Sequence, residues 1–159
     1  MRRRMLMGGL FLVWAAPARA AGLWTLVMPE EARRENEARS LFATRGLGRP
    51  RDQEVLGAPG APEILVDEPN EASTLRPPLS FRVRFVPETG ATIDPRSFRA
   101  SYGSLGIDIT ARILQHARLS AQVLSAENMD IPAGSHKVTL KIADSRGREG
   151  SRTFRFTVA

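Results

Sequence analysis

Three stretches in the second half of the chain alternate strictly between apolar and polar side chains, at residues 80–86, 136–142 and 153–158. Successive side chains of a β-strand point to opposite faces, so each stretch predicts a strand with one buried and one solvent-facing side. Such one-sided strands favour antiparallel sheets, because parallel sheets are normally covered on both faces. The pattern therefore restricts this part of the chain to a β architecture.

Weaker strand candidates and turn signals surround these three stretches. The candidates lie at residues 63–67, 97–102 and 119–124, and the turn-forming residues between strands are at 77–78, 87–90, 132–134 and 145–147. Short strands separated in this way are typical of a sandwich or barrel. We predict that residues 62–159 form one all-β antiparallel sandwich. A short helical turn at residues 111–117 is expected to bridge its sheets, with Ile113, Leu114 and Ala117 facing inward.

The first twenty residues have the layout of a secretory signal peptide. Three arginines at residues 2–4 precede an uncharged apolar run at residues 5–16, and Ala18-Arg19-Ala20 supplies the small residues of a cleavage site. A membrane-spanning helix needs about 20 apolar residues, so a retained anchor is the weaker interpretation. We expect residues 1–20 to be removed before Ala21, with a second possible site after Ala18. The product is then expected in the bacterial periplasm or medium, without a membrane anchor. Its export can follow either the general or the twin-arginine route.

Removal of this segment changes the charge of the protein. The whole chain has 23 basic and 17 acidic residues and a formal net charge of +6. Four of the basic residues lie in residues 1–20, so 19 basic and 17 acidic residues remain, a net charge of +2. Nucleic-acid binders normally concentrate a large basic excess on one face, so we expect no nucleic-acid partner. The chain has no cysteine, which excludes disulfides, thiol nucleophiles, cysteine-bound zinc and a lipid-modified cysteine.

The segment between the signal and the sandwich divides into an arm, residues 21–45, and a Gly- and Pro-rich linker, residues 46–61. Pro29, followed by two glutamates, predicts a helix over residues 29–43. On that helix Glu35 and Arg39 are spaced for an i,i+4 ion pair.

The apolar hexamer at residues 23–28 has two interpretations. It can pack on the domain that follows it, or it can dock a partner protein, with Trp24 and Leu26 as anchors. Deletion of residues 21–60 would separate the two, because only packing makes the arm important for thermal stability.

Four ordered segments carry a family resemblance. Residues 90–98 follow the pattern G-x-x-I-D-P-x-S, residues 106–110 supply a G-x-D-x-T element, residues 132–142 follow P-A-G-x-H-x-V-x-L, and residues 144–150 follow D-x-x-G-x-x-G. This series resembles the immunoglobulin-like domains of exported bacterial proteins. The resemblance covers residues 62–159 and implies an Ig-like β-sandwich that closes with the strand at 153–158. It departs from antibody domains, which contain a cysteine pair and a core tryptophan. The family consists of structural and binding modules, so the resemblance implies no catalytic activity.

The chain contains few residue patterns that indicate chemistry. We expect His136 to make a corner hydrogen bond to the backbone and His116 to lie on the surface, so zinc binding is not indicated. The Gly103-Ser104-Leu105-Gly106 segment lacks the first glycine of a nucleophile elbow. Calcium is the better inorganic candidate, yet the loop carboxylates do not have EF-hand spacing, and Asp94 and Asp108 are expected to form turns and caps. These carboxylates are Asp67, Glu68, Asp94, Asp108, Asp130 and Asp144.

A local basic excess lies in the last two predicted strands. If these strands pair, Lys137, Lys141, Arg152 and Arg155 can form a basic stripe on one sheet face, although a solvated face that discourages edge pairing is the plainer interpretation. We expect an exported, non-catalytic module without a cofactor, which binds a protein partner through the arm or an exposed sheet edge, or has a structural role. The alternative is binding of an anionic glycan or other envelope polymer by the basic stripe. A small hydrolase has the least support, because no nucleophile–base pair is evident.

Overall fold

The computed structural model describes residues 22–44, 58–69 and 73–159. The predicted signal peptide and most of the predicted linker lie outside these residues. In chain order the elements are β1 (Trp24–Thr25), α1 (Pro29–Thr44), β2 (Glu63–Glu68), β3 (Thr74–Leu75), β4 (Leu79–Val86), β5 (Ile93–Tyr102), β6 (Ile107–Asp108), α2 (Thr110–His116), β7 (Arg118–Leu119), β8 (Val123–Asp130), β9 (Gly134–Asp144) and β10 (Glu149–Val158).

The strands form two five-stranded sheets. The first has the order β1-β8-β4-β2, with β7 also pairing with β8, and the second has the order β3-β10-β9-β5-β6. The short strands β1 and β3 run parallel to β8 and β10, and the other pairs are antiparallel. The chain is therefore an all-β sandwich, and the predicted fold class is confirmed.

The core lies between the sheets and follows the alternation seen in the sequence. Every second side chain of β4 is buried, beginning at Leu79, and the same holds along β9 from His136 onward. The rings of Phe81 in the first sheet and Phe154 in the second lie 5.2 Å apart. Contacts of this kind, rather than a disulfide, join the two sheets.

Two details of the prediction are wrong. The strand expected at residues 119–124 is instead the end of β7, a turn and the start of β8. Ser120 forms this turn, because its Oγ accepts a hydrogen bond from the Val123 backbone N–H at 3.0 Å. In α2, Ile113 is buried as expected, but Leu114 is 42% exposed because it lies on the outer side of the helix.

The arm packs against the sandwich. Trp24, Leu26 and Val27 belong to the buried core, and β1 extends the first sheet by pairing with the end of β8. Helix α1 begins at Pro29 as predicted, and the Glu31 carboxylate accepts a hydrogen bond from the Met28 backbone N–H at 2.9 Å, which caps its first turn. None of the helices in the described residues combines the length and hydropathy that a membrane crossing requires.

Candidate functional site

The basic residues predicted from the sequence lie on the second sheet, where β9 pairs with both β10 and β5. Lys137 is directly opposite Arg155, and Lys141 is directly opposite Arg99. Since Val138 and Leu140 between them are fully buried, the side chains of Lys137 and Lys141 lie on the solvent side of the sheet. We call this surface the basic face and define it by Arg99, Lys137, Lys141 and Arg155.

A row of hydroxyl groups separates the two cationic pairs. Thr139 is opposite Thr153 on β10 and Ser101 on β5, and the two threonine Oγ1 atoms are 2.9 Å apart. Along β9 this row lies two residues from each cationic pair, which corresponds to about 7 Å on either side. The basic face is thus a strip with cations at both ends and hydroxyls in the middle.

Not every predicted member belongs to this face. Arg152 is opposite Leu140, whose side chain is fully buried, so Arg152 occupies an inward-facing position of β10 and does not join the stripe. Arg99, which was not among the predicted residues, takes part instead. The positive charge of the face is partly balanced, since Lys141 Nζ lies 2.8 Å from the Glu149 carboxylate.

Trp24 and Leu26, the predicted partner anchors, are buried inside this chain. The Trp24 indole N–H donates to the Glu127 backbone carbonyl at 2.8 Å, and the indole stacks on the exposed His116 ring with centroids 4.5 Å apart. Leu26 is 1% exposed. The packing interpretation of the arm is therefore confirmed for these two residues. Neither is available to a partner while the arm is docked.

His136 has the corner role that the sequence suggested. Its Nε2 donates to the Pro132 carbonyl at 2.8 Å, because that oxygen can only accept, and its Nδ1 accepts from the Tyr102 hydroxyl at 2.9 Å. Burial lowers the pKa of His136, so the neutral ring is the favoured form. Burial and, secondly, the nearby Glu35 carboxylate raise the pKa of Tyr102 to about 12. The pair is a buried structural contact between β5 and β9.

The other motif residues also satisfy backbone groups. Ser97 Oγ accepts from the Ala143 N–H at 2.7 Å and donates to the Asp94 carbonyl at 2.6 Å, which holds the irregular start of β5 against β9. Thr110 Oγ1 accepts from the Ala100 N–H at 2.9 Å and so ties α2 to β5. The segments at residues 90–98, 106–110 and 132–142 therefore each contain a structural hydrogen bond.

The candidate calcium carboxylates are dispersed in the structure. Asp67 is bound by Arg84 through two hydrogen bonds, and Asp144 is bound by Arg148, which places a cationic side chain where a metal would sit. Across the described ranges, no group of three or more His, Cys, Asp or Glu side chains is arranged to hold a metal ion.

One buried carboxylate was missed by the sequence analysis. Glu35 of α1 is fully buried and accepts hydrogen bonds from the Ser104 backbone N–H at 2.7 Å and the Ser104 hydroxyl at 2.8 Å. Arg39 was predicted to pair with it, and its Nη2 lies 3.7 Å from Glu35 Oε1. The sequence carried no signal for the Ser104 contact, which joins residues 69 positions apart.

No protein-family model matches the chain, and no curated protein matches it. Among solved structures, the chain is similar to CopC from Methylosinus trichosporium OB3b, with 17% sequence identity and a TM-score of 0.39, over 60% of this chain and 93% of that chain. The fold assignment therefore rests on the strands and registers given above.

Proposed function

We propose that the chain is an exported, non-catalytic, Ig-like module that binds an anionic polymer of the bacterial envelope on its basic face. The observation that supports this most is the register of the second sheet, which places Lys137 opposite Arg155 and Arg99 opposite Lys141. Like charges directly opposite each other on a sheet are destabilising. Two such pairs lie on this face, and a bound anion would reduce the repulsion within each pair.

The alternative is a protein partner that docks through the arm, and its proposed anchor residues are buried within this chain. That interpretation depended on Trp24 and Leu26, which make buried contacts within the chain. The cationic side chains of the basic face lie at the surface, where Lys141 pairs with Glu149 and where Arg99, Lys141 and Arg155 are all exposed. We therefore favour the polymer over the protein partner.

A polymer suits this face better than a small anion. Each exposed ion pair contributes about 0.2–1 kcal/mol in water, so one anionic group would bind too weakly to matter. The two cationic pairs are four residues apart along β9, or about 13 Å. A polymer with repeated carboxylate, sulfate or phosphate groups can contact both pairs at once, and its binding then gains from multivalency.

The test is binding of the chain from residue 21 onward to a uronic-acid polymer, polygalacturonate, at increasing salt. We expect the affinity to fall as salt rises from about 50 to 300 mM, since screening weakens exposed charges. The double substitution Lys137→Gln/Arg155→Gln should weaken binding about tenfold, from two lost contacts of typical strength.

The matched control is Arg82→Gln/Arg118→Gln, which removes the same charge from the outer side of the first sheet. These two arginines flank Ser125 across β4, β8 and β7 and are exposed. An equal loss in both double variants would show a net-charge effect and contradict the assignment of the face. Binding to polygalacturonate that persists at high salt would contradict electrostatic recognition by the basic face.

A further inference from the structure

The outward side chains of β9 alternate between hydroxyl and cationic groups, in the order Ser135, Lys137, Thr139 and Lys141. Their partners on β10 repeat most of this order and are, in register, Thr157, Arg155, Thr153 and Ser151. None of these positions holds an aliphatic or aromatic residue. A ligand on this part of the sheet is therefore recognised by charge and hydrogen bonds, without stacking or apolar contact.

The hydroxyls between the two cationic pairs form a continuous row across three strands. We call it the hydroxyl row and define it by Ser101, Thr139 and Thr153, all of them partly exposed. The Oγ1 atoms of Thr139 and Thr153 lie 2.9 Å apart, so one of their two protons is used between them. The other proton and the remaining lone pairs allow the row both to donate and to accept hydrogen bonds.

A polymer that contacts both cationic pairs has to cross the hydroxyl row. The row lies two residues along β9 from each pair, or about 7 Å, and the pairs are about 13 Å apart. The part of the polymer between its two ionic contacts therefore lies over Ser101, Thr139 and Thr153. The chemical groups that the polymer carries there determine how well it fits the face.

Neutral hydroxyls match this row better than further anionic groups do. An ionised carboxylate or phosphate only accepts hydrogen bonds, so it can use the free proton of the row but leaves its lone pairs without a donor. A ligand hydroxyl can donate to one threonine and accept from the other. Because polar groups that lose water without gaining a partner weaken binding, the row favours a polymer with hydroxyls between its charges.

We propose that the hydroxyl row makes the basic face selective for an acidic polysaccharide over an anionic polymer that carries no hydroxyls. Thr139 and Thr153 are then specificity-determining residues, while the cationic pairs supply the electrostatic attraction. This inference rests on the proposed function, since the row acts only on a polymer that the cations already hold.

The test compares two carboxylate polymers, polygalacturonate, which has hydroxyls on every unit, and polyacrylate, which has none. The variant Thr139→Val/Thr153→Val removes both hydroxyls with little change of shape, and valine is well suited to strands. In calorimetric titrations we expect this variant to bind polygalacturonate about three- to tenfold more weakly than the unmodified chain, through the lost hydrogen bonds. Its affinity for polyacrylate should change by less than about twofold.

The matched control is Thr74→Val/Thr157→Val. These two threonines are also opposite each other, on β3 and β10, and both are exposed. They lie on the far side of the pair formed by Lys137 and Arg155, outside the hydroxyl row. This variant should bind polygalacturonate within about twofold of the unmodified chain. An equal loss in both double variants would show that any surface hydroxyl contributes and would contradict the assignment to the row.

A second variant separates the hydroxyls from the shape of the threonines. Thr139→Ser/Thr153→Ser keeps both hydroxyls and should keep the preference for polygalacturonate. The inference is wrong if the valine variant loses affinity for both polymers equally or for neither.

Failure of the proposed function has a different signature. In that case the unmodified chain binds neither polymer, or Lys137→Gln/Arg155→Gln binds both as well as the unmodified chain does, and the selectivity of the basic face is then wrong as well. If the glutamine variant weakens binding of both polymers and the valine variant weakens neither, polymer binding holds and only the selectivity is wrong.

Discussion

Gly103 is fixed by two independent constraints, its backbone conformation and the carboxylate beside it. It has φ +73°, which side chains with a Cβ rarely adopt, and its missing Cβ leaves the space that Glu35 occupies. We expect Gly103→Ala to destabilise the protein by about 2–4 kcal/mol, from about 1 kcal/mol for the backbone and the rest for displacement of Glu35. Urea denaturation measures this change.

Gly106 provides the matched control for this prediction. It lies in the same turn with φ +65°, but nothing lies within 4 Å of where its Cβ would be. Gly106→Ala should therefore cost only the backbone contribution, about 1 kcal/mol. Equal effects of the two substitutions would show that the carboxylate contact does not constrain Gly103.

His136 is expected to make stability depend on pH in the mildly acidic range. Burial lowers its pKa in the folded protein below the value of about 6.5 in the unfolded chain. Between those two values the unfolded chain binds a proton that the folded protein does not, so acidification favours unfolding. The stability is complete above pH of about 6.5 and is lost as the pH falls toward the folded pKa.

Urea midpoints at pH 7.5 and 5.5 test this expectation when His136→Gln is compared with His116→Gln. The first substitution should lower the urea midpoint at both pH values but reduce the difference between the two midpoints. The second removes the other histidine, which is exposed and stacks on Trp24, and should leave that difference largely in place. If the stability of the His136→Gln variant still depends on pH to the same extent, other groups cause the dependence.

At the scale of elements, the β9–β10 hairpin depends on Asp144. Its Oδ1 accepts from the backbone N–H groups of Arg146 and Arg148, and its Oδ2 accepts from the Arg148 side chain. Burial alone would raise the pKa of Asp144, but these hydrogen bonds outweigh it and hold the pKa below its usual value. Asp144→Ala should therefore lower the urea midpoint strongly, and the loss should shrink as the pH falls through the acid range, where protonation removes the same contacts.

Asp67 is an exposed aspartate that pairs with an arginine, so its substitution separates the effect of burial from the effect of ion pairing. It forms a similar two-point contact with Arg84, but on an exposed surface, where ion pairs contribute little to stability. Asp67→Ala should shift the midpoint only slightly. If the two aspartate variants lose equal stability, the hairpin does not depend on the buried hydrogen bonds of Asp144.

The predictability of the elements follows from their length. The long strand β4 shows several cycles of alternation, and α1 starts with a proline and two acids, so the sequence located them closely. The two-residue strands β1 and β3 are too short to show a period, and their parallel pairing depends on distant partners. The boundary near Ser120 was misplaced because its side chain competes with the strand for backbone hydrogen bonds.

The candidate site was predictable only in part, for a similar reason. Lys137 and Arg155 follow from alternation alone, and Arg152 was misassigned although Phe154, two residues later, already indicated that its position faces inward. Arg99 required knowledge of which strand pairs with β9. Glu35 and Ser104 meet only through the tertiary fold, so their contact has no local signature.

At the scale of the whole molecule, the arm completes the core of the sandwich. Trp24, Leu26 and Val27 are at most 7% exposed, and each such side chain contributes about 1.5–3 kcal/mol when buried. Their sum, about 4.5–9 kcal/mol as an upper estimate, is comparable to the total stability of a typical domain. The unit that folds therefore includes the arm together with residues 62–159.

Removal of residues 21–60 should accordingly destabilise the protein severely. We expect the melting temperature to fall by more than about 10 °C relative to the chain that begins at residue 21, or folding to fail. Two point substitutions in the arm separate packing from mere truncation. Leu26→Ala, at a position 1% exposed, should cost about 2–5 kcal/mol, whereas Leu23→Ala, at a position 63% exposed, should cost less than about 0.5 kcal/mol. A truncated chain that melts at the same temperature as the longer one would mean that the sandwich is complete without the arm, and the arm would then be free to serve a partner.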